Sequence, residues 1–151
     1  MSVQMTDPFI FEIDEWVFLG ADDPYALFDP KAYGLNPVAP HTACWKGFIV
    51  QFFLNRKKLY LDKLWVYCED GSYPPINGAA PHPDQEGMMV YEHIGLPLPY
   101  SGVVAIGKNF IPGHRHRSFL GPEPYDRVLK LTFQDGLLTG IEKESEADRE
   151  D

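Results

Sequence analysis

The chain is poor in cysteine, with two in 151 residues. That is too few for the disulfide frameworks that staple small secreted domains. No apolar run approaches the roughly 20 residues that a bilayer-spanning helix needs, so no membrane partner is expected. The opening residues MSVQMTDPFI lack a basic segment followed by a long apolar one, which reads as cytoplasmic placement with both thiols reduced. Bases are scarce as well: 13 Lys and Arg stand against 22 Asp and Glu, for a formal charge of −9. Phosphate backbones repel such a chain, so nucleic acid is disfavoured as a general partner. Signature motifs are missing too. There is no Cys-x-x-Cys and no His-Glu-x-x-His. Ser101 does not sit in a Gly-x-Ser-x-Gly elbow, and Gly107-Lys108 lacks the glycine pattern of a phosphate loop.

Aromatic residues are plentiful, with 10 Phe, 8 Tyr and 3 Trp, and so are Pro and Gly, with 14 and 13. Aromatics favour strands and core packing. Pro and Gly punctuate short elements with turns. Together they predict a mainly β (β-rich α+β) domain: an antiparallel sandwich or partly open barrel with one or two short helices near residues 24–34. Residues 1–141 make one domain of ordinary size. Residues 142–151 hold six acids and two bases, a composition that predicts a disordered acidic tail.

Phe9–Ile13 and Trp16–Leu19, separated by Asp14-Glu15, read as strand pieces or one bent strand. Asp23-Pro24 and Asp29-Pro30 each pair a capping residue with proline at the first helical position, which predicts two single-turn helices, the second stopped by Gly34. Ala43–Leu54 and Leu59–Cys68 flank Asn55-Arg56-Lys57-Lys58 and predict a long hairpin with a solvated basic tip. A loop centred on Arg56 sets Cys44 opposite Cys68; a shift of half a residue sets Trp45 there instead. Both faces of the first strand carry large apolar groups, so it is expected to be central and covered on both sides. Glu69–Glu86 is the longest loop. Met88–His93 and Val103–Ile106 are short strands, with Gly107–Pro124 irregular. Val128–Phe133 and Leu137–Ile141 pair across the tight turn Asp135-Gly136.

The segments DEWVFLGADDPYALFDPKAYGLNP, HTACWKGF, LYLDKL, YPPING, GLPLPYSG and LKLTFQDG together resemble a family of small uncharacterised bacterial proteins. Its marks are a Trp-Lys/Arg-Gly-aromatic strand, Leu-Tyr-Leu, and a Leu-Pro-Tyr-Ser/Thr-Gly turn. The resemblance spans most of residues 14–141. It implies a bacterial or phage origin and one β-rich unit, and carries no activity.

Several side chains are candidates for chemistry. In extended chain His114 and His116 point the same way, so both imidazoles can reach one ligand. Zinc wants four donors, and this pair supplies half, the others having to come from His82, Asp84 or His93. No metal or cofactor is therefore expected. Arg115 and Arg117 offer guanidinium forks that suit an anion. Trp45, Trp65, Tyr67 and Phe48 are expected to line an apolar pocket with Arg115 or His116 at its mouth. The acid pairs Asp22-Asp23, Asp14-Glu15 and Asp84 with Glu86 show no sign of the two unlike environments that acid–base work requires. Cys44 and Cys68 lie in apolar runs, where a thiol is usually a small buried hydrophobe.

No catalytic residues emerge, and the balance leans away from an enzyme. The leading expectation is a non-catalytic cytoplasmic binding protein, an inhibitor or immunity protein for a basic partner protein drawn by the negative field. The alternative is a small-molecule-binding β-barrel or sandwich, with an anion or metal site at His114-Arg115-His116. A homodimer through an exposed sheet edge is a third expectation.

Overall fold

The computed structural model describes residues 6–40, 44, 46–85, 87–110 and 125–144. Strands β1 (Asp7–Phe11) and β2 (Asp14–Ala21) form a hairpin. Its turn is Glu12-Ile13, with positive φ of 53° and 64°. Such geometry follows the strand twist but is normally supplied by Gly, Asn or Asp. The turn thus carries no turn signature, and the break expected at Asp14-Glu15 falls inside β2.

Helix α1 (Pro24–Leu27) and a 3₁₀ turn at Pro30–Tyr33 follow, as their caps predict. The Asp23 carboxylate accepts from the Ala26 N–H at 3.1 Å and that of Asp29 from the Lys31 N–H at 3.0 Å. Gly34 ends the second turn in the left-handed region.

Strands β3 (Phe48–Asn55) and β4 (Lys58–Val66) make the central hairpin, turning at Arg56-Lys57. Asn55, Arg56, Lys57 and Lys58 are all exposed. The register follows one of the two expected offsets near the tip and neither of them beyond it. Leu54 faces Leu59 and Phe53 faces Tyr60, the offset that would set Trp45 against Cys68. Asp62 then bulges from β4, and beyond it Gln51 faces Lys63 and Ile49 faces Trp65. The extra residue switches the inward set of β4 from Leu59 and Leu61 to Leu64 and Val66, a break in the alternation that spans Asp62-Lys63. The hairpin is also shorter than expected, because Cys68 leaves β4 and bridges Pro37.

Next come β5 (His82–Pro83), β6 (Met89–Tyr91), β7 (Leu96–Pro97), β8 (Gly102–Phe110), β9 (Tyr125–Gln134) and β10 (Leu137–Glu144). Strand β8 runs past Ile106 into the segment expected to be irregular. Strand β10 runs to Glu144, three residues into the expected tail, where Glu142 stands opposite Lys130 and opposite charges favour the pairing.

The sheet order is β10-β9-β8-β2-β1-β3-β4, and β10 also pairs with β4. Seven strands therefore close into a barrel, with β5, β6 and β7 added on the β4 side. The mainly β expectation holds, in its barrel form. The seam is brief. Leu137 pairs with Lys58, the Leu59 N–H donates to the Gly136 carbonyl at 3.0 Å, and the Leu138 N–H donates to that of Lys57 at 2.8 Å.

Alternation sorts the side chains. Phe9, Phe11, Trp16, Val50, Phe52, Leu54, Leu61, Leu64, Ile106, Leu131 and Phe133 fill one continuous core. Each such side chain contributes about 1.5–3 kcal/mol when fully buried. On the outer face of β3, Ile49 is buried with Cys44 and Met88 in a satellite cluster. Outer coverage is local to the start of β3. Gln51, Phe53, Tyr60 and Trp65 on the same face are only partly buried, so the expected covering of both sides holds inside the barrel and at Ile49 but not along the whole hairpin.

Candidate functional site

The barrel end nearest α1 is not completely filled. Asp7 begins β1, and its alternation with Phe9 and Phe11 turns it inward. It lies opposite Phe18 on β2. Its Oδ1 accepts the Val50 N–H at 2.9 Å, and its Oδ2 is ion-paired with Lys46 Nζ. Only 9% of Asp7 is exposed, and it is the buried charged residue among the described core positions. A buried carboxylate is tolerated only when paired and hydrogen-bonded, and Asp7 is both.

Lys46 reaches Asp7 because the chain turns sharply at Gly47, whose φ is 80°. A Cβ there would lie 2.7–2.9 Å from the Val38 backbone, so only glycine fits. The Gly47 carbonyl accepts from the Tyr67 N–H at 3.0 Å, and the Val38 N–H donates to the Tyr67 carbonyl at 2.9 Å. These contacts hold the entry to β3 in place. The Lys46 ammonium then sits 4.8 Å from the centroid of the Phe48 ring, a cation–π distance.

Around this ion pair lies a pocket of about 260 Å³ walled by Phe18, Leu27, Phe28, Phe48 and Phe52. Phe18 and Phe52 meet at 5.2 Å between centroids, and Phe28 and Phe48 at 6.0 Å. Helix α1 roofs it through Leu27, while Tyr25 stays largely exposed. The site is an aromatic hollow with one charge pair in its wall, a buried carboxylate compensated by a partly exposed ammonium.

The side chains expected from sequence to form one pocket are divided between the two faces of the sheet. Phe48 lines the barrel mouth. Trp65 lines an outer cleft of about 460 Å³ with Pro8, Ile49, Asp84 and Met88. Tyr67 packs nearby on that outer face, against the Cys44, Ile49 and Met88 cluster. Phe48 and Trp65 sit on neighbouring strands with opposite parity, so one cavity cannot hold both. Trp45, His114, Arg115, His116 and Arg117 lie outside the described residues.

Several of the remaining candidates have structural partners, and Glu86 lies outside the described residues. His82 Nε2 is 2.7 Å from Glu92, which also meets Lys63 at 3.3 Å. Hydrogen bonds from His82 and then Lys63 hold the Glu92 carboxyl below its ordinary value. Asp22 accepts the Val103 N–H, Asp84 accepts the Met88 N–H, and Asp14 pairs with Lys108 at 3.0 Å. Cys44 and Cys68 are free and buried, and burial pushes both thiols up, against nucleophilic use. Among the described residues no three His, Cys, Asp or Glu side chains are grouped to hold a metal ion. No described helix is long and apolar enough to cross a membrane.

Sequence reasoning missed Asp7 and Lys46. They are 39 residues apart, and a lone Asp-Pro and a lone Lys-Gly carry no chemical signature. The available hint was an acid in register with the inward apolar residues Phe9 and Phe11. No protein-family model matches the chain, and no curated protein or solved structure matches it either.

Proposed function

We propose that the protein is a small-molecule-binding β-barrel whose site is the aromatic mouth beneath α1. One observation carries this reading: a hollow of about 260 Å³ remains among Phe18, Phe28, Phe48 and Phe52 beside the ion pair of Asp7 and Lys46. Barrels of this size are either filled by side chains or hold one compact ligand. Ligand sites are typically apolar concavities with a few placed polar groups, and this mouth has that composition. Its volume suits a single-ring molecule better than a nucleotide or a lipid. Inhibition of a basic partner protein ranks below this reading, because the charge of −9 is its whole support.

The test is titration of ¹⁵N-labelled protein with 2-phenylethanol, a neutral single-ring probe. Saturable shifts of the Phe18, Val50 and Phe48 amides are expected. Val50→Phe, which fills the hollow, should abolish them while the fold persists by circular dichroism. Shifts confined to the Trp65 cleft, or none at all, would remove the mouth as the site.

A further inference from the structure

We infer that the mouth selects an organic ammonium ion, and that Lys46 occupies the ammonium position as a built-in competitor. This rests on the small-molecule reading above and names the ligand class for the same site.

Three observations converge. First, the charge fixed in the wall is negative. Asp7 is on a barrel strand, is almost fully buried, and is anchored by the Val50 N–H. Lys46 is instead carried on the chain leading into β3, and its side chain is 42% exposed. The carboxylate is the permanent feature and the ammonium is the movable one. Second, the walls suit a cation. Phe18, Phe28, Phe48 and Phe52 line the hollow, the Phe48 ring already lies under the Lys46 ammonium, and aromatic faces attract ammonium groups, more strongly where water is excluded. Third, the position is already taken by an ammonium. Lys46 Nζ contacts Asp7 and lies over the Phe48 ring, which are the contacts an amine ligand with an aromatic or aliphatic body would make.

Exchange of one ammonium for another keeps the site electrically balanced. An incoming R–NH₃⁺ takes Asp7, its apolar body fills the hollow, and Lys46 swings to solvent, where its strongly hydrated head is stable. An anion would have to draw Lys46 off Asp7 and leave that buried carboxylate unpaired, which is costly. A neutral ring would leave the ion pair intact and gain only the apolar contacts.

If Lys46 holds the site nearly all the time, removing it raises apparent affinity by the inverse of the open fraction. An open fraction of about 1–10% corresponds to tightening of roughly 10- to 100-fold. The experiment compares 2-phenylethylammonium, 2-phenylethanol and 3-phenylpropanoate by calorimetry and NMR on wild type, Lys46→Met and Asp7→Asn. Asp7→Asn retains an oxygen for the Val50 N–H, and thermal melts check that each variant is folded. Support would be ammonium binding that tightens by roughly 10- to 100-fold in Lys46→Met and is lost in Asp7→Asn, with 2-phenylethanol nearly indifferent to both. Equal binding of alcohol and ammonium in Lys46→Met would overturn the ammonium inference and leave the pocket standing. Preference for 3-phenylpropanoate, lost in Lys46→Met, would overturn it as well. No binding of any probe by wild type or Lys46→Met would remove the small-molecule reading itself.

Discussion

Tyr91 offers a quantitative check on the packing that surrounds the barrel. The ring is fully buried in the core, and the hydroxyl donates to the Pro74 carbonyl at 2.7 Å. This ties the Glu69–Glu86 loop to β6. Burial pushes the phenol up from 10.0 to about 12. In Tyr91→Phe at neutral pH, one hydrogen bond is lost and the Pro74 carbonyl loses its partner. Such a change costs about 1–3 kcal/mol. The sign with pH follows from linkage. An acid whose folded value is raised keeps its full stabilising contribution below the unfolded value and loses it as pH rises beyond that point. The wild type therefore weakens above pH 10, where the unfolded chain ionises and the folded chain does not. By pH 12 the loss amounts to about 2 kcal/mol, with each pH unit worth at most about 1.4 kcal/mol. Phe has no proton to lose, so other titrations cancel in the difference between the two proteins. Urea denaturation from pH 8 to 11.5 should show the wild-type advantage constant to about pH 9.5 and then shrinking. A difference that stays flat to pH 11.5 would mean that Tyr91 ionises in the folded state as readily as in the unfolded one.

Two other predictions follow from the seam and the thiols. Gly136 has φ of 81°, and a Cβ there would sit 2.4 Å from the Leu98 carbonyl oxygen; Gly136→Ala should cost about 2 kcal/mol or more, combining left-handed strain with a backbone clash. Hydrogen exchange at the Leu59 and Leu138 amides should quicken as the closure loosens, and unchanged protection would refute this account of the seam. Cys44 and Cys68 are buried with thiols raised, so Ellman's reagent should react slowly with native protein and with two thiols in urea; prompt reaction of either in the native state would contradict the burial argument.

How much was legible in the sequence differs from element to element. The helical turns at residues 24–33 were readable because Asp-Pro states both the cap and the first dihedral locally. The Asp135-Gly136 turn was readable for the same reason. Turns at Glu12-Ile13 and Arg56-Lys57 also adopt positive φ, but their residue types do not announce it. There the twist of the paired strands imposes the conformation, so the first was misplaced and the second found only from its flanking runs. The register failed at Asp62, where the apolar alternation of β4 breaks from Leu59 and Leu61 to Leu64 and Val66 and a uniform register does not allow for the extra residue.

The candidate site shows the same division. Trp65, Tyr67 and Phe48 were noticed for their size, a property of the residue alone. Which face each occupies depends on strand parity across the Asp62 bulge, and that separates Phe48 from the other two. Asp7 and Lys46 were invisible because nothing local joins them. From its own pattern the sequence determined a mainly β chain, the capped turns at 24–33 and an apolar central hairpin, since these follow from dihedral preference and side-chain alternation. Tertiary structure alone decided that the sheet closes, that its α1 end keeps a hollow, and that a carboxylate and an ammonium meet there. Those outcomes depend on contacts between residues far apart in the chain, which no local preference encodes.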